Sequence, residues 1–278
     1  APSPDPGGAL NRRIWRDNLR LLQHLGRDIT RYERQLAGHL VQTPFVLLLS
    51  IPGINVVSAS GYGSEVGPIA NYIKPSHING RAGIFPSRYQ SDETDCADGP
   101  MVGGRNARLR DAVMEITMNL IQHNDYFQGW SELREKRGWS KKRIHVAMAN
   151  RFNRIAYWMV AGQMLFDHPC LKKRHPVLKK VAVFSLAHGI KPETTMSLVA
   201  KAARQLPSDA VAEELSALQD GLADLPTSEG VPTATLKKVT PLLPALVSQI
   251  NHDHKHQGDD DQGAIAETPY RVKVETLA

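Results

Sequence analysis

Three stretches of this chain carry side chains whose types and spacing could do chemistry. The first is Leu49-Ser50-Ile51-Pro52-Gly53-Ile54-Asn55. A hydrophobic-Pro-Gly-hydrophobic turn between two short helices is the pattern of a helix-hairpin-helix. Its glycines permit unusual backbone angles, and the amides opening the second helix face a DNA phosphate. Asn55 stands where that pattern has its second glycine, and asparagine tolerates the left-handed region better than most residues. Gly53 and Asn55 are thus candidate DNA-binding residues; the other reading is a plain connection between helices with no ligand. The second stretch is His252-Asp253-His254-Lys255-His256 with Asp259-Asp260-Asp261. Imidazoles and carboxylates can ligate metals, but the lysine, Gly258 and the polar setting read as a solvated tail, so no metal site is assigned. Third, Trp130, Trp139 and Trp158 have faces that could stack on bases, although on helices such rings more often belong to a core.

The charge balance points to a polyanion. Residues 1–190 hold 26 Lys and Arg against 15 Asp and Glu, whereas residues 191–278 hold 8 against 13. A basic body with an acidic tail suits nucleic acid as partner, and a merely solubilising surface is the alternative. With 278 residues, 41% of them hydrophobic and 22% charged, the chain is long and apolar enough for one large or two small domains, which excludes wholesale disorder, collagen and a disulfide-rich mini-protein. It holds no run of 18 apolar residues, so no membrane span is expected. Two cysteines, Cys96 and Cys170, make no framework and fit a reducing cytoplasm.

The elements that must position these residues read as mainly α. Residues 1–9, rich in Pro and Gly, read as a linker. Residues 10–43 read as a long helix or coiled-coil segment: Trp15, Leu22, Ile29 and Leu36 share one heptad position and Leu25 and Tyr32 another, flanked by arginines. That stripe packs either on its own domain or on another chain. Pro44 can open a second helix, and Val56 to about Val66 a further one. Residues 67–104 look irregular. Helices are expected from about Asn106 to His123, Asp125 to Arg137 and Ser140 to Phe166, with Ser140 as N-cap. Residues 44–170 thus form a compact helical domain with the hairpin. Residues 171–278 form an irregular, partly helical extension with the acidic His/Asp tail.

Taken in order, Pro52-Gly53, Gly83-Ile84-Phe85-Pro86, Gln90-Ser91-Asp92, Asn106-Ala107-Arg108-Leu109-Arg110 and Ala149-Asn150-Arg151-Phe152-Asn153-Arg154 resemble a known family. They are similar to the C-terminal domain of the insertion-sequence 110/116/902-type transposases, relatives of the pilin-gene site-specific invertase. That domain carries a Pro-Gly hairpin, then Gly-Leu-x-Pro, Gln-Ser-Gly, Lys-x-Gly-Asn-x-x-Leu-Arg and Ala-Asn-Lys-x-x-Arg elements. The resemblance covers about residues 44–166.

The resemblance implies DNA transposition, with Ser91 as the nucleophile of strand exchange on a DNA phosphate. Such a serine needs cations around the phosphate. Arg81, Arg88, Arg105, Arg108 and Arg110 lie close enough in sequence to supply them, and Arg151 and Arg154 belong to the last element. Asp92 follows Ser91 where the family has glycine, Gly103 stands for its lysine and Arg105 for its glycine; Asp92, Glu93, Asp95 and Asp98 make that loop acidic. Family members also carry an N-terminal Asp-Glu-Asp-Asp domain binding divalent metal. Before the hairpin this chain offers only Asp5, Asp17, Asp28 and Glu33, and it does not begin with Met. The expectation is therefore a C-terminal part, with no cofactor of its own and with magnesium held by the absent domain. DNA, an element-encoded guide RNA used by some family members, and a second copy in a homo-oligomer are the implied partners. The alternatives are a non-catalytic DNA-binding remnant and a helical scaffold protein.

Overall fold

The computed structural model describes residues 6–87, 89–91, 94–96, 99, 101–168, 175–223 and 230–261. Its first helix, α1 (Pro6–Leu40), begins inside the stretch read as a linker, with proline at the first position where its missing N–H is harmless. The heptad stripe of α1 faces solvent: Trp15 is 76% and Leu22 65% exposed, and Leu25, Ile29 and Tyr32 are exposed as well. Only at Ala37, Leu40 and Val41 does the chain enter the core. From Trp15 to Tyr32 the stripe is therefore left uncovered by its own domain, whereas the last turns of α1, from the half-buried Leu36 onward, pack on the helices Val56–Val66 and Val177–Ala187.

The stretch opened by Pro44 is a 3₁₀ helix, Pro44–Ser50, whose residues from Phe45 onward are all buried. A turn then leads into α2 (Val56–Val66), where Asn55 and Ser58 form a reciprocal capping box. Three-helix packing of the 3₁₀ segment, α2 and α6 (Lys141–Ala161) is centred on Tyr62, whose ring meets Phe45 and Phe152 edge-on at 6.0 and 5.1 Å. The 3₁₀ segment can lie so close to α2 because of Gly63, where a Cβ would meet the Phe45 ring at 2.8 Å.

The irregular stretch contains a short α3 (Ser76–Ala82) and a small antiparallel hairpin, β1 (Tyr89–Ser91) and β2 (Thr94–Cys96), which no alternating pattern announces. Three polar N-caps then set α4 (Ala107–His123), α5 (Asp125–Lys136) and α6: Asn106, Asn124 and Ser140 accept from backbone N–H groups of the first turns. Helix α6 stops at Ala161, short of Phe166, because Gly162 and Gln163, the latter at φ 47°, turn the chain away.

The C-terminal half adds α7 (Val177–Ala187), α8 (Pro192–Ala203), α9 (Val211–Ala223), α10 (Thr233–Val239) and α11 (Leu243–Asp261). Helix α7 packs on α1, α2 and the 3₁₀ segment as well as on α8 and α9. One apolar core accordingly runs without interruption from Ala37 to Ile250. Among the described residues, no helix is long and apolar enough to cross a membrane.

Candidate functional site

Helix α3 organises the arginines. At its C-terminal end Gly83 takes φ +67°, the left-handed conformation that glycine adopts without a Cβ clash. A Cβ there would meet Val102 O at 2.8 Å, Arg110 Nη2 at 2.9 Å and the Arg105 Cβ at 3.0 Å. Two of the elements found in sequence, Gly83-Ile84-Phe85-Pro86 and the one that ends at Arg110, thus converge on one point. Arg110 ties them, donating through Nε to Ala82 O and through Nη2 to Val102 O, both at 2.9 Å. Asn106 adds a second knot: its N–H donates to Arg81 O, its amide to the Glu65 carboxylate at 2.9 Å, and its Oδ1 caps α4. Gly83→Ala is expected to cost about 2 kcal/mol or more from the left-handed backbone and the tight contacts. A melting curve within 2 °C of wild type would show that the junction yields.

From this root the β1–β2 hairpin extends, held at its base by the Pro86–Met101 bridge and by Val102 N donating to Phe85 O. Ser91 closes β1 opposite Thr94, next to the hairpin's turn; its backbone is placed, and its side chain lies outside the described atoms. Arg88, Asp92, Glu93 and Asp98 lie outside the described residues. Arg105 and Arg108 are exposed beside the root. Arg81, also exposed, donates to the Tyr72 hydroxyl at 3.0 Å, and Arg110 is half-buried as a strut.

At the other end of α3, about 10 Å away at 1.5 Å per residue, lies a cleft of about 300 Å³. Pro75, Ser76 and Asn79 form one side; Trp130 of α5 and Ala147, Asn150, Arg151 and Arg154 of α6 form the other. The helical repeat brings Asn150, Arg151 and Arg154 together on one side of α6, and Asn153 beneath them donates to Asn79 Oδ1 at 2.6 Å. The Arg151 Nε donates to the Tyr126 hydroxyl, and its guanidinium lies over the Tyr126 ring at 5.2 Å. His168 lies tilted against the same ring at 4.0 Å; burial first, then the Arg151 charge, holds its pKa below the ordinary imidazole value.

Sequence reading passed over the neighbours that hold this cleft open. The Arg134 guanidinium sits between the Trp130 and Trp139 rings, at 4.9 and 5.1 Å, and Arg143 lies over Trp139 at 4.1 Å. Trp130 and Trp139 meet edge-on at 6.4 Å. Such contacts contribute about 0.5–1 kcal/mol each at exposed sites. The signal was present as Trp-x-x-x-Arg twice, the first time one turn apart on α5 and the second across the start of α6. The tryptophans are half-buried structural partners of arginine, so neither of the simple alternatives, free stacking face or core, describes them.

The Pro-Gly turn is braced from inside. Lys180, on α7, donates through Nζ to Leu49 O, Ile51 O and Ile54 O at 2.7, 3.2 and 2.9 Å, and Asn124 donates to Pro52 O at 3.1 Å. Gly53, at φ +93°, permits close packing on α4: a Cβ would lie 3.1 Å from Asn119 O. Asn55 is exposed, with its side chain engaged in capping α2. Burial pushes the Lys180 pKa down to about 8, and the buried Glu214 carboxylate opposes that fall. Glu214 also accepts from Leu178 N, capping α7 where Pro176 offers no side-chain cap.

The acidic residues before the hairpin are dispersed. Asp17 pairs with Arg20, Asp28 with Arg31 and His24, and Glu33 with His188, along successive turns of α1. Among the described residues no group of three or more His, Cys, Asp and Glu side chains could hold a metal ion. The described residues thus do not fit the divalent metal that the resemblance brings with it. Of the His/Asp tail, residues 252–261 continue α11 and only the His252 side chain is described.

Residues 46–130, from the 3₁₀ segment to Trp130, match the model of the family described as Transposase IS116/IS110/IS902 family. Over 152 residues the chain is 29% identical to the transposase for insertion sequence element IS1328 of Yersinia enterocolitica, a stretch that covers 52% of this chain and 45% of that protein. The chain therefore spans about half the length of the curated relative it matches. No solved structure matches it.

Proposed function

We propose that this chain is the DNA-handling part of an insertion-sequence transposase, with its arginines on the DNA backbone and Ser91 as the nucleophile of strand exchange. The observation that carries the reading is the convergence at Gly83. The Gly-Ile-Phe-Pro and Asn-x-x-Leu-Arg elements meet at one root, from which the hairpin that carries Ser91 extends, and the root lies inside the family match. Arg81, Arg105 and Arg108 are the cations at that root available to phosphates, Arg88 directly precedes β1 in sequence, and Arg110 holds the root together. Arg151 and Arg154 extend the basic surface to the cleft. Asn55 is the exposed hairpin residue that can approach a phosphate, and Gly53 acts behind it as a close-packing residue.

In this reading the Ser91 Oγ bonds to phosphorus as the bond from phosphorus to a deoxyribose oxygen breaks. The serine loses its proton, the departing oxygen gains one, and the arginines stabilise the charge that collects on the non-bridging oxygens. The exposed stripe of α1 supports a homo-oligomer: two copies pairing through Leu22, Leu25, Ile29 and Tyr32 would cover it. Arg13, Arg20 and Arg27 share a position on the opposite side of the helix from that stripe and would face outward on both copies, whereas Arg34, at the same position, donates to His188 O at 2.6 Å. The carboxylates after Ser91 favour a second reading, DNA binding without cleavage, because they repel a phosphodiester.

Two measurements test this. Affinity for duplex DNA, read by fluorescence anisotropy, is expected to fall at least about 100-fold from 50 to 200 mM salt as counterions are released. Replacing Arg81, Arg105 and Arg108 by alanine is expected to flatten the log–log slope by about 0.9 for each lost contact. In an excision assay on the intact element, Ser91→Ala is expected to abolish product. Wild-type excision by that variant removes Ser91 from the mechanism, excision lost for both proteins with salt-dependent binding kept supports the second reading, and salt-insensitive binding sinks both.

A further inference from the structure

We propose that the cleft between α3, α5 and α6 holds a single unstacked nucleotide of a DNA strand. This rests on the nucleic-acid reading above and names what part of the strand the cleft takes. The cleft's volume of about 300 Å³ is at the small end for a ligand site. It is far too narrow for a stacked base pair. Its lining divides in two: Pro75, Trp130 and Ala147 are apolar, while Asn150, Arg151 and Arg154 are polar or cationic. A ligand matching both halves has one flat apolar part and one anionic part, which is the chemistry of a base with its phosphate.

Unsatisfied polar atoms point the same way. Asn150 Oδ1, Asn153 Oδ1 and Arg154 Nε are shielded from solvent and have no hydrogen-bond partner among the described residues. A shielded donor or acceptor without a partner costs about 1–3 kcal/mol, so such groups are rare in folded proteins unless a ligand or water completes them. Here one donor on Arg154 and one acceptor on Asn150 border the same cavity. The Arg154 donor suits a phosphate oxygen, and the Asn150 amide, which both donates and accepts, suits a base edge. The Trp130 wall is held rigid by Arg134 and Trp139, so the cavity is formed before anything enters it. Unstacking a base costs a few kcal/mol, least where it is unpaired. The nucleotide held at one end of α3 anchors its strand near the hairpin root at the other end, from which the strand carrying Ser91 extends.

The test compares three DNA probes of equal length by anisotropy at fixed salt: a matched duplex, the same duplex with one bulged nucleotide, and the same with an abasic bulge. The full chain is expected to bind the base-bearing bulge at least about tenfold more tightly than either of the others. Ala147→Trp, which fills the cavity from α6, and Asn150→Ala, which removes the amide, are each expected to erase that preference and keep matched-duplex affinity. Circular dichroism checks that both remain folded. Equal affinity for all three probes, or for the base-bearing and abasic bulges, overturns the nucleotide site and leaves the DNA reading standing. Absence of salt-dependent binding to any probe fails the DNA reading itself.

Discussion

Replacing Lys180 with methionine is expected to lower the melting temperature of this protein by about 5–15 °C. Methionine fills much of the same volume but donates nothing, so Leu49 O, Ile51 O and Ile54 O lose the amine that now reaches them at 2.7, 3.2 and 2.9 Å. Leaving shielded carbonyls unsatisfied costs roughly 2–4 kcal/mol here, offset in part by no longer burying a charge. At this chain length each kcal/mol shifts the midpoint by about 2–4 °C. The pH dependence checks the cause. Burial holds the folded lysine near pKa 8 against an ordinary 10.5. Between those values the unfolded chain still binds a proton that the folded chain has released, so the lysine's contribution to stability rises with pH across that window. Below about 8 both states are protonated and the contribution is flat. Denaturant midpoints for the two proteins are thus expected to diverge as pH rises from 8 toward 10. A constant gap would mean that the ammonium is not desolvated.

The second large effect concerns α1. The double substitution Leu22→Asp and Ile29→Asp is expected to separate the two copies of the proposed homo-oligomer. Each Leu or Ile covered by a partner contributes about 1.5–3 kcal/mol, and a symmetric pair covers four such side chains, so the dissociation constant is expected to rise by at least about 10⁴-fold. Because both positions are exposed within one chain, melting of the body is expected to stay within about 2 °C of wild type. Light scattering on a size-exclusion column reads the outcome. A wild-type chain that elutes as a monomer at 100 µM, or a double variant that stays dimeric, removes the pairing.

The helices were legible because their signals are local. Asn106 and Ser140 lie at their caps, and the apolar positions of α4 and α6 recur at helical spacing. The β1–β2 hairpin was not legible: strands of three residues are too short to show alternation, and it forms because the Pro86–Met101 bridge closes its base. The turn at Pro52-Gly53 was visible, but its setting was not. That Gly53 packs on α4 and that Lys180 fills the inner side depends on α4 and α7, the latter more than 120 residues further along the chain. Of the arginines, their number and order were plain. Which would be a strut, as Arg110 is, and which would stay exposed, as Arg105 and Arg108 do, was decided by neighbours far away in the chain.

Composition, caps and periodicity, all read within a few residues, determined that this is a mainly helical chain with a basic body and an amphipathic first helix. The motif order pointed to the elements that meet DNA in the proposed function. The folded chain alone decided that the α1 stripe is exposed, that two motif elements close around Gly83, and that Asn150, Arg151 and Arg154 share a cleft with Trp130. The physical reason is the same in each case. Helix formation is driven by neighbours in sequence, whereas exposure, close approach and unsatisfied polar atoms depend on which distant surfaces cover which.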